Sequence, residues 1–156
     1  MTRFFDLDEA NGLLPEVRTI LEGLRDERAE LIRLRDKVVA TQASEETPSE
    51  TPTEANVGGA SRPSEPAERD GNPNDAEVRV LRLRMQGVID QMQAAVARID
   101  ELGITLREIE TGLIDFPALA SGRQIWLCWR LGEDDVEWWH ELGDGFSNRR
   151  ALADLT

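Results

Sequence analysis

Apolar residues near the start of the chain fall at alternating steps of four and three: Leu13, Val17, Ile20, Leu24, Leu31, Leu34 and Val38, with Glu27 the one break. The residues between are mostly Arg, Glu and Asp, as the solvated face of an amphipathic helix requires. The same steps return at Val78, Leu81, Met85, Val88, Met92, Ala95, Ile99 and Leu102, and Gly103 follows where a helix C-cap belongs. The stripes predict helices over 14–40 and 76–102, each roughly 40 Å long at 1.5 Å per residue. Pro15 suits the first turn of the first one. Asp6 and Glu9 have capping-box spacing with Phe5 as half of a staple, which predicts a separate short helix over 7–13. Two equal helices with narrow complementary stripes predict a coiled-coil-like antiparallel hairpin. A seam of this kind covers little of each helix, so two hairpins are expected to pair as a homodimer.

From Ile104 onward the period changes. Ile104-Thr105-Leu106-Arg107 alternates, Thr111-Gly112 reads as a turn, and Leu113 to Phe116 reads as a short strand stopped by Pro117. Ser121-Gly122 is a second turn, and Arg123 to Leu131 is rich in strand formers. Gly132-Glu133-Asp134-Asp135 is a third turn, before Val136 to Leu142. This predicts a three- to four-stranded antiparallel meander over 104–142 and a tail over 143–156, hence an α+β fold in a single domain. A four-residue loop would pair Trp129 with Trp138, Leu127 with His140 and Arg130 with Glu137, and the opposite charges of the last pair favour that register. A three-residue loop would slip it and exchange the faces.

Composition adds an interruption between the helices. Residues 41–75 hold five of the seven prolines, eight acidic and two basic residues, and no Leu, Ile, Phe or Trp. Such a stretch cannot bury enough apolar surface to offset its ordering entropy, and it is expected to be a disordered acidic insertion. The whole chain of 156 residues carries a formal charge of −13, which disfavours nucleic acid. No run approaches the roughly 18 apolar residues of a membrane span, and no secretory h-region is present. Cys128 is the only cysteine, which fits a reducing cytoplasm.

The reactive side chains gather late. Asp115, Arg123, Cys128, Arg130, Glu133, His140, Glu141 and Arg149 lie on the predicted strands and turns, and His140 is the only histidine. A thiolate, an imidazole and carboxylates from Cys128, His140, Glu133 and Asp115 could hold zinc or iron, although the spacing matches no established signature and the favoured register sends Cys128 and His140 to opposite faces. A Cys–His hydrolase is a further outline, with Asp115 or Glu141 orienting the imidazole. Four tryptophans (126, 129, 138 and 139) also cluster. One sheet face must cover the helices; on the other, Trp126 and Trp139 with Arg123, Arg130 and Arg149 form the expected surface for a ligand or partner. The arginines have a plainer use, in ion pairs with Asp115, Glu133 or Glu141.

The blocks Gly112-Leu113-Ile114-Asp115-Phe116-Pro117, Gly122-Arg123, Leu127-Cys128-Trp129, Leu131-Gly132-Glu133, Trp139-His140-Glu141, Gly145-Phe146 and Arg149 resemble the uncharacterised prokaryotic domain of unknown function 2203 family. Asp8-Glu9-Ala10-Asn11 and Leu14-Pro15 are similar to its start. The resemblance implies a small cytoplasmic protein of helical-hairpin-plus-sheet type and brings no catalytic role. Taken together, the expectation is a non-enzymatic, self-associating interaction or ligand-binding module with a protein or small-ligand partner. The alternative is a metalloprotein built on Cys128 and His140.

Overall fold

A computed structural model describes residues 2–44 and 72–155. Helices α1 (Leu7–Ala43) and α2 (Pro73–Glu101) precede strands β1 (Thr105–Glu108), β2 (Leu113–Ala120), β3 (Arg123–Arg130), β4 (Trp138–His140) and β5 (Arg150–Ala151). The strands form one antiparallel sheet in sequence order, so the class is α+β. The chain divides into two compact units, residues 1–31 with 87–156, and residues 32–86. Most of the expected insertion, 45–71, lies outside the described residues. Its ends, 41–43 and 73–75, belong to the helices instead. Among the described residues no helix is long and apolar enough to cross a membrane.

In the first unit α1 begins at a real cap. The Glu9 backbone N–H donates to Asp6 Oδ1 at 2.7 Å, and this bond holds the Asp6 carboxyl below its ordinary range. The separate helix expected over 7–13 does not exist, because α1 runs straight through Pro15. Pro15 removes one helical hydrogen bond at a cost of about 3 kcal/mol. Ala10, Leu14, Val17, Leu21 and Leu24 are all buried along one face, and each large side chain there returns about 1.5–3 kcal/mol. Burial wins, so the helix continues. Within this unit the helices are antiparallel: Arg98 clasps Glu16 at 2.7 Å, and Leu31 shares a groove with Ile89. At the end of α2 the Gly103 N–H bonds the Asp100 carbonyl and the Ile104 N–H bonds the Ile99 carbonyl, with Gly103 at φ +85°. This is a Schellman cap, as the sequence pattern required.

The second unit consists of 32–43 of α1 and 73–86 of α2 among the described residues, with Leu34, Val38 and Leu81 buried.

The sheet departs from expectation in three ways. Strand β2 is not stopped at Pro117 but continues to Ala120. Strand β1 covers only Leu113–Asp115, so β2 is an edge at Pro117, and a missing N–H is tolerated there. The Pro117 carbonyl meanwhile accepts the Phe5 N–H at 2.7 Å. The supposed tail contributes β5, whose two residues pair with Trp138 and Trp139. Third, β3 and β4 are slipped by one residue from the favoured register: Trp126 faces His140, Leu127 faces Trp139, and Cys128 faces Trp138. Ile114, Phe116, Ala118, Ile125, Leu127, Trp129 and Trp139 therefore share the face that completes the core of this unit. Trp139, expected on the recognition face, is 3% exposed within that core.

The turn after β1 tests how tightly the sheet is closed. Gly112 has φ +67°, and a Cβ there would lie 2.5 Å from Leu131 Cβ, whereas Gly122, at φ +77°, has nothing within 4 Å. Gly122→Ala is expected to cost about 1 kcal/mol from the left-handed backbone alone, and Gly112→Ala about 3 kcal/mol because the clash adds to it. Urea unfolding of the two variants checks this; equal losses would mean that Leu131 gives way freely.

Candidate metal centre

The outer face of the sheet is built by the same alternation. Asp115 on β2 pairs directly with Cys128 on β3, and Cys128 pairs with Trp138 on β4. His140 lies two residues beyond Trp138 and so returns to the same face. The donor atoms of Asp115, Cys128 and His140 lie within 4.8 Å of one another. All three side chains are buried, at 2%, 1% and 2% exposure. Of the four residues expected as ligands, Glu133 stands apart. Its carboxylate accepts the Arg130 backbone N–H and the Arg149 guanidinium, each at 2.8 Å, because it caps the β3–β4 loop.

The hydrogen bonding of the three residues is incomplete. His140 Nδ1 is 2.9 Å from the Glu141 carbonyl, which can only accept, so the proton on that nitrogen is fixed. Nε2 then points at Asp115 Oδ2, 3.0 Å away. The same Oδ2 also accepts from Arg107 Nε at 2.8 Å. Either Nε2 carries a second proton, or its lone pair is left for a cation. The other carboxylate oxygen, Asp115 Oδ1, is buried with no hydrogen-bond partner. Leaving such an acceptor unsatisfied costs about 1–3 kcal/mol. Burial pushes the Cys128 thiol up to about 12, the nearby Asp115 charge adds to this, and Arg149 opposes it. A thiol held so firmly protonated is a poor nucleophile, and His140 is engaged with Asp115 and Glu141 rather than serving it. The arrangement disfavours the Cys–His hydrolase.

A cleft of about 280 Å³ opens on the cluster, lined by Arg107, Leu113, Leu142, Asp144, Gly145 and Phe146 besides the three donors. Aromatic rings hold the arginines beside it. Arg107 lies 4.9 Å from the centre of the Trp126 ring, and Arg149 lies 4.6 Å and 4.2 Å from those of Trp138 and Phe146. The residues expected as a recognition surface are thus divided. Trp126 is half-buried under Arg107, Arg130 packs over Phe146, and Arg149 pairs with Glu133. Arg123 grips Glu141 through two hydrogen bonds of 2.6 and 3.2 Å, which raises the guanidinium and lowers the carboxyl.

Arg107 and Asp144 were not legible as members of the site. Arg107 lies two residues beyond Thr105, the partner of Asp115, and so returns to the Asp115 face at an irregularity between Leu106 and Glu108 that leaves it without a partner in the ladder. Asp144 sits in the Gly143-Asp144-Gly145 break, and its N–H bonds the Glu141 carbonyl. The one available signal was the Thr111-Gly112 turn, which sets Thr105 opposite Asp115.

The fold and the cluster define a small α+β protein: a helix pair joined to an antiparallel sheet, with a buried Asp–Cys–His group on its outer face. The chain belongs to the family of uncharacterized conserved proteins designated DUF2203, whose pattern matches residues 3–152. No curated protein and no solved structure matches it.

The thiol makes a pH prediction. A group whose folded value lies above its unfolded one binds more protons when folded, so stability declines as pH rises between the two. For Cys128 the window runs from 9.0 to about 12, with a slope of at most about 1.4 kcal/mol per pH unit. The chain has no Tyr and a single Lys, so little else titrates there. Denaturant unfolding of metal-free protein is expected to show this decline, and Cys128→Ala is expected to flatten it.

Proposed function

We propose that this protein is a zinc-binding module whose metal is held by Asp115 Oδ1, Cys128 Sγ and His140 Nε2. The reading rests above all on the buried Asp115 Oδ1, which has no partner beside a thiol and an imidazole nitrogen. A zinc ion would take up that oxygen, accept the Nε2 lone pair and bind Cys128 as thiolate, so each incomplete contact of the cluster would be satisfied at once. Donors in a tetrahedral zinc site stand about 3.5 Å apart, and the three residues, with donor atoms within 4.8 Å of one another, would draw together around the ion. The surroundings fit the same purpose. Glu141 carbonyl would keep His140 in the tautomer that frees Nε2, and Arg107 would hold the second Asp115 oxygen. One imidazole, one thiolate and one carboxylate suit zinc better than the two-histidine set of non-haem iron.

Elemental analysis of the tag-free chain, purified and then refolded with zinc present, tests the proposal. About one equivalent of zinc per chain is expected, retained in Trp126→Phe and lost in Cys128→Ser and His140→Ala. Absence of zinc from the folded wild-type chain would overturn it. Binding must displace the thiol proton, so affinity is expected to rise with pH toward the folded thiol's value of about 12.

Self-association is a second reading, favoured by one observation. A largely apolar groove of about 680 Å³ runs within the first unit along Leu31, Ile89, Met92, Val96, Ile99 and Leu106. Occupation by a second copy predicts a dimer in light scattering, with Val96→Glu shifting the mass to that of one chain while the circular dichroism spectrum is retained.

A further inference from the structure

The cluster supplies three donors and stops. Among the described residues no fourth His, Cys, Asp or Glu joins Asp115, Cys128 and His140 as a ligand group. Zinc sites that only stabilise a fold close their sphere with four protein ligands, whereas three protein ligands leave a position for water or a reactant. The outer side of the cluster is not sealed by packing, because the 280 Å³ cleft reaches it. That volume lies just below the usual range of small-molecule sites, so the occupant has few heavy atoms.

Resting on the zinc reading above, we propose that the metal keeps one exchangeable position facing the cleft, and that a small oxygen-donor anion, of the size of acetate or phosphate, displaces water there. Two anionic ligands, Asp115 and Cys128, balance the 2+ charge of the ion, so the centre does not itself repel a further anion. Arg107 supplies the positive charge on the cleft wall. It is 42% exposed and held in place by Asp115 and the Trp126 ring. Leu113, Leu142 and Phe146 add apolar wall beside it. Asp144, also on the wall, is the one carboxylate in place either to accept a proton from bound water or to close the sphere. The two roles have different consequences.

Cobalt(II) replaces zinc in such sites and reports its coordination in the visible spectrum. The full chain is loaded with cobalt, and the thiolate charge-transfer band confirms loading. Acetate and phosphate are then titrated in turn. A saturable shift of the visible bands at one anion per metal is expected, with affinity weakened about tenfold in Arg107→Gln once cobalt occupancy is matched. Loaded cobalt whose bands no anion moves, but which Asp144→Asn changes, would overturn the open position and leave a closed zinc site. An unchanged anion affinity in Arg107→Gln would overturn the role of that residue. Failure to load any cobalt would instead overturn the zinc reading itself, so the two failures are distinguishable.

Discussion

The pairing of Cys128 with Trp138 across β3 and β4 fixes which side chains this sheet buries and which it gathers outside. Strand side chains alternate, so a slip of one residue exchanges the two faces of β4 relative to β3. With the observed pairing, Trp139 joins Leu127 and Trp129 in the core, and His140 joins Cys128 and Asp115 opposite. The loop before β4 is held from outside the sheet. Asn11 Oδ1 accepts the Val136 N–H at 2.8 Å, and Arg18 reaches the carbonyls of Glu133 and Asp134. Glu133 ties the loop back to Arg130 and Arg149. Helix α1 thereby sets the register of a hairpin more than a hundred residues away in the chain.

Local chemistry made the helices legible. Both stripes fall on helices. Of the first, Val17, Leu24, Leu34 and Val38 are buried and Leu13, Ile20 and Leu31 half-buried; of the second, Leu81, Ile99 and Leu102 are buried and the residues between half-buried. The Asp6 cap formed, and Gly103 took the left-handed conformation its position demanded. Ser121 and Gly122 likewise turn the chain at positive φ between paired Ala120 and Arg123. What failed were judgements that needed the partner. Pro15 and Pro117 are breakers by local rule, but the first is outweighed by a buried helix face and the second stands where β2 pairs with β3 alone and β1 does not reach. The opposite charges of Arg130 and Glu137 pointed to the wrong register because an exposed ion pair is worth under about 1 kcal/mol, while burying Trp139 is worth several times that. The two residues of β5 carry too short a pattern to read. The ligand types of the candidate centre were therefore visible in the sequence and their convergence was not: spacing along the chain does not reveal a face.

Arginine does a second job on this sheet. Basic residues are outnumbered by acidic ones, 18 to 31, and all but Lys37 are Arg. Many lie within about 6 Å of a ring centre: Arg107 over Trp126, Arg123 and Arg150 over Trp139, Arg130 over Phe146, and Arg149 over Trp138. A planar guanidinium covers an aromatic face while keeping its edge for a carboxylate, which an ammonium cannot do. Arg107 and Arg149 each do both, toward Asp115 and Glu133 respectively. The outer tryptophans thus support the arginines that frame the cluster, and they do not form a bare apolar patch. This is why the same residues argue less for a broad docking surface than for a small enclosed site.

That enclosure carries a cost. A carboxylate, an imidazole and a thiol are withdrawn from water at the centre of a small sheet, with one carboxylate oxygen unsatisfied. Replacing such a group by apolar residues of similar size is often neutral or stabilising, so packing alone gives no reason to retain it. A cation changes the balance, because it converts the thiol proton and the orphaned oxygen from liabilities into ligand bonds whose free energy adds to that of folding. On the zinc reading, the register held by Asn11 and the carboxylate held by Arg107 form one device. Each gives up some stability in the empty fold to bring three donors to a single point.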